Sequence, residues 1–387
     1  MILGFHYHSN FTYKNDKIYV PGYIGVFIEE LAKNCTELYL FLEIQSNNSS
    51  TEEDFELNQK NIKIINLGPK STFYYRLLYP QKKLNIIGNH IHKLDYFLLR
   101  APTPLAPHIF KKFQLQLPIN ILLVGNYVNG LKHLEQPFLR KIGIILLTHY
   151  YQILENRMIL NQNILVNSVA LYEQNKTKAK KIEIVKTTTL DRNSFFERVD
   201  SCNNESIRIL YTGRINFQKG IRELIHAVAI LCDKYNIIID IVGWEEQGSF
   251  SYEKGLKLIA TENGIEEKII FHGKKEIGPE LNTYYRNADI YAIPSYHEGF
   301  PRTIWEAMAN SLPVIATNVG SIPYYLQNNE NALIIEPYEI TSLVTAIETL
   351  INNPDIRRSL IKNGYNLAKE VTLEIQTQKL INLIQKK

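Results

Sequence analysis

The chain has 387 residues, of which 45% are hydrophobic and 21% charged, and its net charge at pH 7 is +4. Because one hydrophobic core rarely organises more than about 300 residues, we expect two domains, and the apolar fraction excludes an intrinsically disordered chain. The mild positive charge gives no reason to expect a nucleic-acid partner.

No stretch of the sequence approaches the run of about 18 apolar residues that a membrane-spanning helix requires. The first ten residues, MILGFHYHSN, contain neither the basic nor the apolar region of a secretory signal, which favours a cytoplasmic protein. The three cysteines, Cys35, Cys202 and Cys232, lack metal-ligand spacing and are typical of a reducing compartment. We therefore expect neither disulfides nor a metal site.

The N-terminal half alternates apolar runs with helical patterns. Such alternation predicts a parallel sheet covered by helices. The predicted strands of this half lie at 2–7, 37–43, 62–66, 95–100, 119–125, 143–147 and 163–166. We expect these elements to form an α/β domain over residues 1–188.

The C-terminal half shows the same alternation more regularly. A strand is predicted at 207–213, and a helix follows at 220–234 with apolar residues at helical spacing. Further short apolar runs predict strands at 237–243, 268–273, 289–295 and 312–317. These elements predict a second α/β domain over 189–370, and the polar segment 187–206 is typical of an interdomain connection. The final segment, 371–387, has the pattern of an amphipathic helix.

Two carboxylates bracket a tight turn in the segment 297–317. Glu298 precedes the turn, and Glu306 lies about one turn inside a helix that we expect to begin near Arg302 or Thr303. The start of a helix suits a diphosphate, because its N–H groups and dipole favour an anion. The carboxylates suit the hydroxyls of a sugar. Alternatively, Glu306 is a solvated helix residue and Glu298 a charge that favours the helix start.

A second element with the same chemistry is the loop that follows the strand at 207–213. It contains Gly213 and Gly220, and Arg214 and Lys219 flank its turn. A glycine-bearing loop between a strand and a helix, with two cations, predicts a diphosphate site. The alternative is that both cations are ordinary exposed loop charges.

These residues resemble the nucleotide-sugar glycosyltransferases of the GT-B class, specifically the retaining group 1, or family 4. Members carry a Gly-Arg-x(n)-Lys-Gly loop, matched by Gly213, Arg214, Lys219 and Gly220, and a Glu-x7-Glu motif, matched by Glu298 and Glu306. The segment 284–323 is similar to the family throughout. Residues 241–248 stand where relatives have a glycine-acid-glycine turn, and 269–275 resemble the strand beside the base pocket.

The resemblance implies the GT-B fold, in which two Rossmann-like doubly wound α/β domains face each other across a cleft and the last helix packs back on the first domain. It also implies a metal-independent hexosyltransferase without a cofactor. Arg214 and Lys219 would neutralise the donor diphosphate, Glu298 would contact the sugar as an orienting group or a nucleophile, and Glu306 would hold the ribose. The residues that it assigns to donor binding are Gly213, Arg214, Lys219, Gly273, Glu298, Gly299, Phe300, Arg302, Thr303 and Glu306.

The N-terminal half departs from the family pattern. Many relatives have a His after the strand at 119–125, where this chain has Asn126, which cannot act as a base near neutral pH. Four residues that we expect at strand ends are candidate substitutes, although we favour a structural role for each: His6, His8, Arg100 and His149. The predicted acceptor-side residues are Gly22, Tyr23, Arg100, Asn126 and His149.

The segment 68–83 interleaves four basic residues with four aromatic ones. This mixture favours peripheral contact with an anionic membrane at its inner face, although an ordinary amphipathic helix is the alternative. The predicted function is transfer of a sugar from a nucleotide-diphosphate sugar to a glycan, lipid-linked or small-molecule acceptor, in cell-surface polysaccharide or glycoconjugate assembly. The alternative is a catalytically silent sugar-nucleotide-binding regulatory or partner protein.

Overall fold

The computed structural model describes residues 1–15, 17–44, 53–69, 80–127, 138–245 and 251–386. These residues form two compact units. The first unit comprises Met1–Thr187 and Gln376–Lys387, and the second comprises Thr188–Ile375.

The first unit is built on a mostly parallel sheet. Its strands are β1 (Ile2–Lys14), β2 (Lys17–Pro21), β3 (Glu37–Ile44), β4 (Glu53–Glu56), β5 (Ile62–Pro69), β6 (Tyr96–Ala101), β7 (Ile119–Leu123), β8 (Asn163–Val166) and β9 (Lys181–Ile184). The parallel strands pair in the order β5-β3-β1-β6-β7-β8-β9, so the order reverses between β1 and β6. This is the doubly wound Rossmann-like arrangement. Its helices are α1 (Gly22–Lys33), α2 (Gln81–Ile91), α3 (Ala106–Phe113), α4 (Phe138–Ile159) and α5 (Val169–Asn175).

A β-hairpin separates the first strand from the first helix. The chain continues β1 beyond the predicted 2–7 to Lys14, turns at Asn15 with a φ of 50°, and returns antiparallel as β2. Helix α1 therefore follows the hairpin, and Gly25 lies where α1 meets β4. A Cβ atom on Gly25 would lie 2.2 Å from Phe55 Cδ1, so the glycine allows the helix and the strand to pack closely.

The predicted strand at 143–147 is wrong, because these residues lie inside α4. Apolar residues occur on both sides of this helix, which hides the helical period. Tyr151 and Met158 are buried, whereas Leu146 is 67% exposed. A short apolar run without a clear period does not distinguish a strand from a helix.

The second unit contains a six-stranded parallel sheet. Its strands are β10 (Ile207–Arg214), β11 (Ile237–Trp244), β12 (Ile269–Gly273), β13 (Ile290–Ile293), β14 (Val314–Thr317) and β15 (Leu333–Ile335). They pair in the order β12-β11-β10-β13-β14-β15, which is again Rossmann-like and reverses between β10 and β13. The helices of this unit are α6 (Ile221–Leu231), α7 (Ser251–Glu262), α8 (Pro279–Asn287), α9 (Arg302–Ala309), α10 (Ile322–Tyr325), α11 (Ile340–Asn352) and α12 (Pro354–Lys369). The last helix, α13 (Leu373–Gln385), begins in the second unit and belongs to the first unit from Gln376 onward.

Each sheet separates two hydrophobic cores. In β10, Ile209 and Tyr211 pack on one side with α6 and α7, and Leu210 packs on the other side with α8 and α9. Residues Leu380 and Ile384 of α13 pack into a core of the first unit. Within the described ranges, no helix combines the length and the hydropathy that crossing a bilayer requires.

Candidate active site

The candidate site lies where the strand order of the second sheet reverses. Strands β10 and β13 are parallel neighbours there, and the chain leaves their carboxyl ends in opposite directions along the sheet. Ligands of open α/β sheets bind at this point, because the loops that follow the two strands diverge and leave a crevice. The loop 214–220 follows β10, and the turn 294–301 follows β13.

These two loops are in direct contact. The backbone N–H of Tyr296 donates to the carbonyl of Gln218 at 2.8 Å. Gly220 has a left-handed φ of 64° and ends the short 3-10 turn Phe217–Lys219 immediately before α6. A Cβ atom at Gly220 would lie 2.0 Å from the carbonyl oxygen of Pro294. Only glycine fits here, because both its conformation and the space exclude a side chain.

This contact can be tested with two glycine substitutions. Gly264 has nearly the same φ, 65°, but open space around its Cβ position. We expect Gly264→Ala to cost about 1–2 kcal/mol of unfolding free energy from the left-handed conformation alone. Gly220→Ala should cost about 1–3 kcal/mol more, because the methyl group also displaces Pro294.

Urea unfolding followed by tryptophan fluorescence measures this difference, since Trp244 and Trp305 both belong to the second unit. Equal losses in the two variants would contradict the close contact between the two loops.

Lys219 and Glu298 form an ion pair across the two loops. Lys219 Nζ lies 2.5 Å from Glu298 Oε1, and the two side chains are 15% and 10% exposed. Ser295 Oγ donates to the same Oε1 at 2.9 Å. The carbonyl of Ser295 in turn accepts a hydrogen bond from Thr317 Oγ1, at the end of β14. The carboxylate of Glu298 is therefore positioned by residues at the ends of β13 and β14 and by Lys219 of the loop that follows β10.

The turn before α9 is fixed by its neighbours. The carbonyl of Gly299 accepts a hydrogen bond from the N–H of Ser321 at 2.7 Å, and a Cβ atom on Gly320 would lie 1.9 Å from the carbonyl of Glu298. The Phe300 ring stacks on Trp305 with centroids 4.4 Å apart. Helix α9 begins after Pro301 without a side-chain cap, and the dipole of a helix start suits an anion.

Glu306 is not a solvated helix residue, since its exposed fraction is only 6%. Its Oε1 accepts a hydrogen bond from the hydroxyl of Thr189, and its Oε2 accepts one from the hydroxyl of Tyr285 at 2.7 Å. A further bond of 2.7 Å joins Tyr285 to Thr212 in β10. Burial and the neighbouring carboxylate raise the pKa of Tyr285 well above its ordinary value, so this hydroxyl stays a donor.

Glycines also line the ends of β10 and β11. Gly213 has a φ of 145°, and a Cβ atom on Gly243 would lie 1.8 Å from the Gly213 carbonyl oxygen. The Arg214 side chain is exposed, and its carbonyl accepts a hydrogen bond from the hydroxyl of Tyr211 at 2.8 Å. The glycines thus let the two strand ends approach each other beside an exposed cation.

The residues near the predicted base pocket include one that sequence reasoning missed. Gly273 ends β12 with a φ of 69°. Lys274 Nζ lies 5.1 Å from the centroid of the Trp244 ring, which is 36% exposed. This contact is a cation–π pair at the same edge of the sheet. Sequence reasoning missed Trp244, although an aromatic residue that follows Gly243 at the end of a predicted strand could have indicated it.

The acceptor-side candidate Arg100 and two of the candidate histidines, His6 and His8, lie at the β1–β6 reversal of the first sheet. Arg100 lies over the Tyr7 ring at 4.1 Å, and its Nη1 donates to His8 Nδ1 at 2.8 Å. His6 is 2% exposed, and burial lowers its pKa to about 3. His6 is therefore neutral at physiological pH.

The other acceptor-side candidates lie elsewhere. His149 is not at a strand end as predicted, because it lies in α4, where its Nδ1–H donates to the carbonyl of Ile145 at 2.8 Å. The Asn126 amide donates to Gln174. The N–H of Gly22 donates to Asp54 at 2.8 Å, and Tyr23 is 44% exposed.

Residues 194–367 match the family of glycosyl transferases group 1. The capsular polysaccharide biosynthesis glycosyltransferase CapM of Staphylococcus aureus is 29% identical over 287 residues, which cover 70% of this chain and 72% of CapM. A D-inositol 3-phosphate glycosyltransferase of Corynebacterium efficiens is 32% identical over 152 residues, which cover 38% of this chain and only 35% of that protein.

Solved structures resemble the chain over its whole length. Anabaena Alr3699/HepE in complex with UDP and glucose superposes with a TM-score of 0.74 at 19% identity, covering 100% of this chain and 99% of that chain. The sucrose-phosphate synthase from Thermosynechococcus elongatus gives 0.72 at 17% identity, covering 99% and 98%. Residues 194–367 therefore match the predicted group 1 glycosyltransferase family, and the likeness of the solved structures confirms the predicted GT-B fold class.

Proposed function

We propose that this glycosyltransferase is a retaining, metal-independent hexosyltransferase that uses a nucleotide-diphosphate sugar. The observation that carries the proposal is the ion pair of Lys219 and Glu298 at the reversal point between β10 and β13. The HepE structures are complexes with UDP and glucose and with UDP-glucose, which supports a nucleotide-sugar donor. The name of CapM supports an acceptor glycan or lipid-linked saccharide in cell-surface polysaccharide or glycoconjugate assembly.

The proposed reaction develops negative charge on the leaving diphosphate. As the bond between the sugar C1 and the phosphate oxygen breaks, Lys219, Arg214 and the start of α9 stabilise the departing diphosphate more than they stabilise the bound donor. The acceptor oxygen forms its bond to C1 on the same face, and its proton passes to the leaving phosphate oxygen. The products are a glycoside of unchanged anomeric configuration and a nucleoside diphosphate.

Glu298 orients the donor sugar in this mechanism. Its described hydrogen bonds, from Lys219 and Ser295, both use Oε1, which leaves Oε2 to accept a sugar hydroxyl. A carboxylate paired with an ammonium group is a weaker nucleophile than an unpaired one, so the pair favours an orienting role. The proposal needs no metal ion, since two cations and a helix start supply the positive charge.

Donor screening tests the proposed function. We expect one nucleotide sugar among the UDP, GDP and ADP series, at a hundred times its Kd, to stabilise the protein by about 2.7 kcal/mol, and turnover to be insensitive to EDTA. Stabilisation without donor hydrolysis or transfer would support a silent binding protein instead. If no nucleotide sugar stabilises the chain, the proposal fails.

We also propose a peripheral location at the inner face of an anionic membrane, which would give access to a lipid-linked acceptor. The basic and aromatic segment predicted for this contact, 68–83, is only partly described, because residues 70–79 lie outside the described ranges. Lys83, one of its basic residues, is buried and paired with Glu43, so it does not reach lipid.

A further inference from the structure

The outer side of α4 carries a stripe of large apolar side chains. Ile142, Leu146, Tyr150 and Ile153 are 40%, 67%, 48% and 51% exposed, and Leu160, one residue past the helix, is 53% exposed. Residues three or four positions apart lie on one side of a helix. The stripe from Ile142 to Ile153 is therefore about 16 Å long at 1.5 Å per residue.

The apolar stripe of α4 does not pack into the core of the first unit. The opposite side of α4 is already buried, with Tyr151, Met158 and Ile159 at 0%, 4% and 1% exposure. A helix that covers a core normally carries polar residues on its outer side. A contiguous apolar surface that the fold leaves in solvent indicates an interaction site.

The exposed charges of α4 have one sign. Arg157 is exposed and lies on the same side as the stripe, four positions after Ile153, and Arg140 and Lys141 are exposed in the first turn, beyond the end of the stripe. The only carboxylate of this helix, Glu155, is 3% exposed and lies on the inner side, where burial raises its pKa to about 7. The outer side of α4 therefore presents apolar groups and one arginine, without an acidic group.

We propose that the outer side of α4 lies flat on an anionic lipid surface, with the apolar stripe at the boundary of the acyl chains and the flanking Arg and Lys residues at lipid phosphates. An apolar stripe with basic flanks matches the two layers of such a surface. Tyr150 suits the boundary, because its ring is apolar and its hydroxyl polar.

The lipid contact would bring a lipid-linked acceptor to the enzyme, and this purpose, but not the contact, rests on the proposed function. The contact itself requires neither donor nor transfer. It also differs from the segment 68–83, since it lies on another helix of the first unit.

Co-sedimentation of the full chain with vesicles tests the proposal. Vesicles of phosphatidylglycerol and phosphatidylcholine supply the anionic surface, and phosphatidylcholine alone supplies the neutral one. We expect the double variant Leu146→Glu/Ile153→Glu to bind anionic vesicles at least about tenfold more weakly than the unmodified chain, because each glutamate replaces an apolar contact and repels the lipid. Arg157→Gln should weaken binding about fivefold at low salt and by a smaller factor at high salt.

Leu115→Glu is the matched control. Leu115 is a leucine of the first unit that is 97% exposed, between α3 and β7 and outside the stripe. This variant should bind vesicles like the unmodified chain, and circular dichroism should show all variants folded, since every substituted side chain is exposed. Equal binding by the stripe variant and the control, or no binding by the unmodified chain, would overturn the proposal.

Two further readouts separate the possible outcomes. Self-association of the chain that Leu146→Glu/Ile153→Glu abolishes, without vesicle binding, would make the stripe an interface between two copies and overturn the lipid assignment. Because the vesicle assay contains no donor, failure of nucleotide binding would disprove the proposed function and leave the lipid result unaffected. Transfer to a water-soluble acceptor should be unchanged in the stripe variant.

Discussion

Lys219→Ala is expected to reduce sugar transfer by about a hundredfold to a thousandfold, the range measured when one preorganised group that stabilises transition-state charge is removed. The same variant should weaken nucleoside diphosphate binding, because Lys219 would neutralise the diphosphate in both the ground state and the transition state. It also leaves Glu298, whose side chain is 10% exposed, without its cation. Initial rates and calorimetric titration with the nucleotide measure the two effects.

Lys234→Ala is the matched control for this prediction. Lys234 forms an ion pair with Glu348 at the same 2.5 Å distance and in the same unit, but its side chain is 63% exposed. Exposed ion pairs contribute about 0–1 kcal/mol to stability, so this variant should keep both its activity and its melting temperature. If Lys219→Ala transfers sugar as fast as Lys234→Ala, Lys219 has no part in the reaction.

Glu298→Gln is expected to lower kcat by about a hundredfold, while the affinity for the nucleoside diphosphate stays equal or rises. The rate and the affinity are expected to change differently because the Glu298 carboxylate of the unmodified chain competes with a diphosphate for Lys219. A neutral amide would release the lysine for the phosphates and would hold the sugar hydroxyl less strongly. Single-turnover rates, set beside nucleotide titrations of the same variant, separate the two effects.

A weaker nucleotide affinity in Glu298→Gln, by the same factor as the rate, would contradict an orienting role. A covalent glycosyl adduct on Glu298, detected by mass spectrometry after incubation with a donor, would instead identify this carboxylate as a nucleophile.

Sequence patterns predicted five of the six strands of the second sheet, because these strands are short buried runs between clear turns, and they missed β15, which has only three residues. The predicted strand at 207–213 differs from β10 by one residue at its end. The first unit was harder to predict. The strand predicted at 143–147 lies in α4, and the prediction failed because the exposed stripe makes this helix apolar on two sides and hides the helical period. No local signal predicted the β1–β2 hairpin.

The candidate site was predictable only where its residues lie within one motif. Lys219 and Glu298 belong to two loops whose composition indicates phosphate and sugar chemistry. Thr189 and Tyr285 were missed, because a partner far away in the sequence leaves no local pattern. Thr189 is 117 positions from Glu306, and only the folded sheet brings the two side chains together.

The buried carboxylate of Glu306 has a consequence for nucleotide recognition. Each of its oxygens accepts one hydrogen bond from a protein hydroxyl, and a carboxylate oxygen has lone pairs for two. A ribose that reached Glu306 would therefore meet oxygens that Thr189 and Tyr285 already hold in place, without having to displace either. A deoxyribose donor would then lose a hydrogen bond to a charged group, which contributes about 1.5–3 kcal/mol.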